Sequence, residues 1–166
     1  MPDRPSREQS GRPRGGGAAF LLAQLGAHAA TAFAQRLQPT DLTPPQAGVL
    51  RQLAQAPGIS QRALADALGL HAPRLVALID DLHDRGLVAR ERDQTDRRNY
   101  ALSLTADGRR ALGEVATVAR AHERAITAAL DDDERAQLVA LLQRLADEQG
   151  LAPGIHPGFR RLGRRA

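Results

Sequence analysis

The chain has 166 residues, 42% of them apolar but only 2% aromatic, with a formal net charge of +4 and no cysteine. That length suits one domain, or one domain with an oligomerisation arm, and so few aromatics call for an aliphatic core of Leu, Ala and Val. The lack of cysteine excludes disulfides, thiolate metal sites and thiol redox sensing, and no apolar run approaches the ~18 residues of a membrane span. The polar, Gly/Arg-rich start lacks the apolar stretch of a secretory signal, so a cytoplasmic location is expected. Abundant Ala, Leu and Arg favour a mostly α fold.

Residues 1–16 read as a disordered basic arm, with four Arg against Asp3 and Glu8. Residues 150–166 read as a second flexible basic tail, opened by Gly150, Pro153, Gly154 and Pro157 and ending in Arg160, Arg161, Arg164 and Arg165. Residues 17–150 hold 15 Arg and 17 acids. The basic excess therefore lies in the tails, and a nucleic-acid surface has to come from local clustering.

Between the tails, a first helix is expected over about 18–37, where Leu22, Leu25, Ala29, Phe33 and Leu37 share one face. Thr43-Pro44-Pro45-Gln46 is a strong helix start, with Thr43 as cap and Gln46 placed for a capping box. That second helix carries Ala47, Val49, Leu50 and Leu53 and stops before Pro57-Gly58. Ser60 can cap a third helix with Ala63, Leu64, Ala67 and Leu68 inward and Gly69 at its end. A fourth helix begins at Pro73, carries Leu75, Leu78, Ile79 and Leu82, and ends before Gly86. Two short helices around a Gly are a helix-turn-helix signature.

A hairpin follows, with strands over 87–92 and 99–104, the second alternating Tyr100, Leu102 and Leu104 with polar or small residues. Residues 93–98 form its exposed tip. Thr105 caps a long fifth helix expected to reach about Leu130, with Leu112, Val115, Ala119, His122, Ile126 and Ala129 on one side. Asp131 and Glu134 form a capping box for a sixth, whose seam is Leu138, Leu141, Leu142 and Leu145. The acids of 131–134 favour the helix dipole rather than a metal.

Three helices and a hairpin make a winged helix. A helix fits the major groove, where base edges are distinguishable, and a hairpin tip can bring Arg to the minor groove. Five Arg (Arg85, Arg90, Arg92, Arg97 and Arg98) fall on and around the hairpin. No histidine pair, Gly-rich phosphate loop, G-x-S-x-G or cysteine nucleophile supports an enzyme, a metal site or a cofactor.

Residues 42–112 resemble the DNA-binding lobe of MarR-type regulators. The resemblance rests on Asp96-Arg97-Arg98 followed by Leu104-Thr105, on Gly86-Leu87-Val88, on Asp80 and Leu82, and on Leu42-Thr43 with Gln46. It implies a winged helix-turn-helix lobe over 41–105 and a dimerisation domain made of a helix over 17–40 and two helices over 106–149. The apolar faces of these terminal helices, too extensive for one small lobe to cover, agree with a C2 homodimer reading a pseudo-palindrome in double-stranded DNA.

By the same resemblance Asp96 would orient Arg98 toward the minor groove or the backbone, and Arg97 would meet phosphate, with Arg92 on the strand below. His71, Ala72, Pro73, Arg74 and Ala77 would face the bases, leaving Arg74 and His71 as polar readers. Ser60, Gln61 and Arg62 would touch phosphate. A small-molecule effector near His28 and His122, relieving repression, is the family's usual device. A winged-helix protein-interaction module without specific DNA readout is the alternative that the bare recognition helix favours.

Overall fold

The computed structural model describes residues 16–92 and 100–155. Six helices and three short strands follow in the order α1 (Ala18–Leu37), a 3-10 turn (Gln38–Thr40), α2 (Pro44–Gln55), β1 (Ile59–Ser60), α3 (Gln61–Leu68), α4 (Ala72–Asp84), β2 (Val88–Arg92), β3 (Tyr100–Leu104), α5 (Ala106–Ile126) and α6 (Asp132–Glu148). The mostly α winged helix-turn-helix is therefore present.

Its helix starts are where the caps put them. At α2 the Thr43 side chain accepts from the Gln46 N–H while the Gln46 amide oxygen accepts from the Thr43 N–H at 2.7 Å, closing the box. Ser60 Oγ accepts from the Ala63 N–H at 3.2 Å. Asp131 and Glu134 exchange bonds of 2.8 and 3.0 Å at the head of α6. Each satisfies amide groups that a helix end leaves orphaned.

The core lies in the lobe and is built almost wholly from branched aliphatics. Leu50 and Leu53 of α2, Leu64 and Leu68 of α3, Leu75, Ile79 and Leu82 of α4, Val88 of β2 and Leu102 of β3 are fully buried. Each contributes on the order of 1.5–3 kcal/mol. Leu37, at the end of α1, is buried in the same cluster and ties the first helix to the lobe.

Three expectations need correction, and one strand is new. In α3 the buried alanine is Ala65, while Ala63 and Ala67 are exposed. The leucines alone fix that helix's facing, and an alanine carries little signal of its own. A third strand was not foreseen: β1 pairs antiparallel with β3, Ile59 opposite Leu102 and Ser60 opposite Ala101, giving the sheet order β1-β3-β2. Tyr100, assigned to the inward rank of its strand, is exposed, whereas Leu102 and Leu104 are buried. Finally, α5 stops at Ile126 rather than near Leu130. There Arg135, from the next helix, donates through Nε to Thr127 Oγ1 at 2.9 Å and through Nη2 to the Leu130 carbonyl at 3.1 Å, holding a turn in place of further helix.

Candidate nucleic-acid interface

The turn between α3 and α4 is made by Gly69, whose φ of +62° is left-handed and suits a residue without a side chain. The next residue, Leu70, is buried and its N–H reaches back to the Ala65 carbonyl at 2.9 Å. This closes α3 and aims α4 away from it. His71 is the N-cap of α4, in extended backbone and without a capping side-chain bond. Gly86, at φ +70°, ends α4 in the same way, with the Leu87 N–H bonded to the Leu82 carbonyl at 2.9 Å.

The motifs spaced along the sequence meet at this point. Val88 stands opposite Leu104 in the β2–β3 register. The Thr105 hydroxyl donates to the Gly86 carbonyl at 2.7 Å and accepts from the Gly108 N–H at 3.0 Å. One side chain thus caps α5 and clamps the end of α4 to the foot of the hairpin. Gly108 is required there: a Cβ on it would lie 2.0 Å from the Leu87 carbonyl oxygen.

Polar side chains on the C-terminal half of α4 are used to brace the lobe. Asp80 pairs with Arg90 of β2, linking the recognition helix directly to the wing. Asp81 accepts from the Gln46 amide at 2.6 Å, and Arg85 bridges Asp41 at 3.3 Å and Asp81 at 3.5 Å. The His83 ring donates from Nδ1 to the Val88 carbonyl at 2.9 Å, which fixes its tautomer.

The candidate residues fall as follows. Ser60 is half-buried and occupied in capping; Gln61 beside it is half-buried and Arg62 exposed at the head of α3. His71, Ala72, Pro73 and Ala77 are exposed on α4, while Arg74 is half-buried. Val76, not among the residues picked out by sequence, is 37% exposed beside them. Its spacing of three from Pro73, away from Leu75, Ile79 and Leu82, is the signal that could have found it. Arg92 closes β2 opposite Tyr100. Asp96, Arg97 and Arg98 lie outside the described residues.

His28 and His122 belong to a separate region where α1 packs on α5. The His122 ring lies 5.4 Å from that of Phe33, tilted by 55°. Burial, followed by the positive charge of Arg36, pushes its pKa down; His28 acts in the same direction and Glu123 opposes them. His122 Nδ1 is buried with no hydrogen-bond partner among the described residues. His28 itself is exposed on α1. Among the described residues no cluster of potential ligands could hold a metal ion, and no helix is long and apolar enough to cross a membrane.

Comparison with known proteins agrees with this geometry. The sequence model of the MarR family matches residues 40–99. The chain is 34% identical over 122 residues to a putative transcriptional regulatory protein for the hcr operon of Thauera aromatica, covering 73% of this chain and 74% of that one. It is 32% identical over 105 residues to the transcriptional regulator HosA of Escherichia coli O157:H7, covering 63% and 78% respectively. Among solved structures, it is similar to the transcriptional repressor CouR bound to a 23-mer DNA duplex, with TM-score 0.69 and 35% identity over 78% of this chain and 92% of that one. The apo form of MarR from E. coli shares the fold at TM-score 0.71 and 24% identity, over 78% of this chain and 96% of that one.

Proposed function

The chain belongs to the MarR family of transcriptional regulators, and from that premise we propose that it is a repressor that binds a pseudo-palindromic operator in double-stranded DNA as a homodimer. The observation that carries this reading is the bracing of α4 against the wing through Asp80 and Arg90. It presents a recognition helix and a basic hairpin as one rigid reader, in a chain similar to a repressor solved on DNA. On this reading phosphate contacts fall to Gln61, Arg62, Arg92 and Arg97, with Asp96 and Arg98 acting as the family's wing pattern implies and Ser60 at the α3 cap; these hold register while α4 reads bases.

The homodimer is supported by apolar surface that one chain leaves open. Phe20 is 57% and Leu25 55% exposed on α1, and Leu138, Val139, Leu141, Leu142 and Leu145 are exposed along α6. A patch of this kind on a regulator is an interface, and two-fold pairing of α1 and α6 with their copies covers it. A small-molecule effector belongs to the same reading. Phe33 and His122 offer ring faces, Arg36 a positive charge and His122 Nδ1 an unused polar atom, which suits a small aromatic anion. Such a ligand acts only through its different affinity for DNA-competent and DNA-incompetent lobe spacings.

Gel shift with the duplex upstream of the chain's own gene tests this. Salt-sensitive, sequence-selective retardation, lost in Arg98→Ala, is expected. Equal weak binding to any duplex would favour the second reading, a winged-helix protein-interaction module, for which the apolar outer face of α4 speaks.

A further inference from the structure

The outer face of α4 divides into two halves of different chemistry. From His71 to Ile79 it carries no carboxylate, and its exposed side chains are His71, Ala72, Pro73, Val76 and Ala77. From residue 80 onward come Asp80, Asp81 and Asp84. Negative charge excludes the second half from close approach to phosphates, except where Arg90 and Arg85 offset it. The first half also ends at the positive pole of the helix. Only this half can enter a groove deeply.

Pro73, Val76 and Ala77 lie at helical spacings of three and four and so form one surface. None can donate or accept a hydrogen bond through its side chain. Val76 is 37% exposed, on a helix whose other large aliphatics (Leu75, Leu78, Ile79 and Leu82) are buried or half-buried. A surface of this shape in the major groove has one complementary base feature, the C5-methyl group of thymine. Hydrogen-bonding edges of guanine, cytosine and adenine would lose water against it without gaining a partner.

Resting on the DNA-binding reading above, we infer that this protein recognises its half-site through thymine methyl groups seated on Pro73, Val76 and Ala77, with Val76 as the specificity-determining residue. His71, exposed at the helix start, and Arg74, half-buried beside Pro73, are then the polar side chains of this half, and the wing supplies most charge-based affinity.

Replacing thymine by 2′-deoxyuridine removes the methyl and nothing else. A duplex library randomised over about 24 base pairs, enough for two half-sites one helical turn apart, is put through rounds of binding and recovery with the full chain. The enriched duplex is then remade with deoxyuridine at each thymine in turn. One or two positions in each half-site should weaken binding by about fourfold per methyl, the equivalent of one methyl-sized group returned to water. Val76→Ser, melting like the parent by circular dichroism, should bind the thymine and deoxyuridine duplexes equally at one of those positions.

An enriched duplex that outcompetes scrambled DNA yet binds equally with thymine or deoxyuridine throughout overturns methyl readout and leaves the DNA-binding reading standing. A deoxyuridine penalty that persists undiminished in both Val76→Ser and Ala77→Ser also overturns it. Failure to enrich any duplex overturns the inference together with the reading on which it rests.

Discussion

Gly108 sits where the first turn of α5 presses on the foot of the wing. The 2.0 Å that would separate an added Cβ from the Leu87 carbonyl oxygen is far inside van der Waals contact, and that oxygen is backbone that already accepts from the Thr105 N–H at 3.2 Å. Gly108→Ala should therefore cost about 3 kcal/mol of stability, read from the denaturant midpoint; an unchanged midpoint would mean that α5 and the wing are not so closely apposed. His122 carries the opposite kind of constraint, electrostatic rather than steric. Burial and the charges of Arg36 and His28 lower its pKa below the ordinary 6.5, against the pull of Glu123. Between the lowered value and 6.5 the unfolded chain takes up a proton that the folded chain refuses. Stability from this group is thus complete above pH 6.5 and lost as pH falls through that window. His122→Phe, which keeps a ring against Phe33, should show a shallower loss of stability between about pH 7.5 and 5.5 than the parent. Parallel curves for the two would contradict the assignment.

The elements differ in how much of them could be read before folding. Helix starts depend on groups three residues apart, so Thr43 with Gln46, Ser60, Thr105 and Asp131 with Glu134 declared themselves. What escaped depends on partners far along the chain. β1 is two residues that become a strand only because β3, more than forty positions later, pairs with them. The end of α5 is set by Arg135, eight residues beyond Thr127. The outward face of α4 was legible as apolar from Ala72, Pro73 and Ala77; Val76 belongs to the same face but lies outside both the core pattern of Leu75, Leu78, Ile79 and Leu82 and the residues that the motif marks. The Asp80–Arg90 pair joins two elements that the motif had noted only as separate matches. With Asp80 and Arg90 about half and a quarter exposed, a double-mutant cycle with Asp80→Asn and Arg90→Gln should give a coupling of about 0.5–1 kcal/mol in stability. The same pair should show coupling in DNA affinity, because the wing and α4 must bind together. Additive losses in affinity would mean that the two act independently.

At the scale of the whole molecule, the chain is a small aliphatic lobe joined through Leu37 and Val115 to long helices with much open apolar surface. α6 contributes no fully buried residue, so one chain alone gives it little reason to hold its place. Sedimentation at micromolar concentration should return a particle of twice 17.8 kDa, and Leu142→Glu with Leu145→Glu should return the single mass while the far-ultraviolet spectrum of the helices persists. A parent that sediments as 17.8 kDa would remove the dimer, and with it the two-fold reading of DNA. The architecture could be anticipated as a set of helices with unsatisfied faces; the identity of what satisfies them is not written in spacing, because an apolar stripe is the same whether it meets its own chain or a copy.

The most direct measurement of the central claim is competitive binding of the full chain to its enriched duplex and to a scrambled duplex of equal composition, followed across salt concentration. The affinity ratio should be on the order of 1,000 or more at physiological salt. Both affinities should fall with added salt, because salt opposes the release of counterions from the DNA phosphates that binding brings about. A ratio near one, with both affinities falling in parallel, would show a basic protein that holds any DNA and reads none.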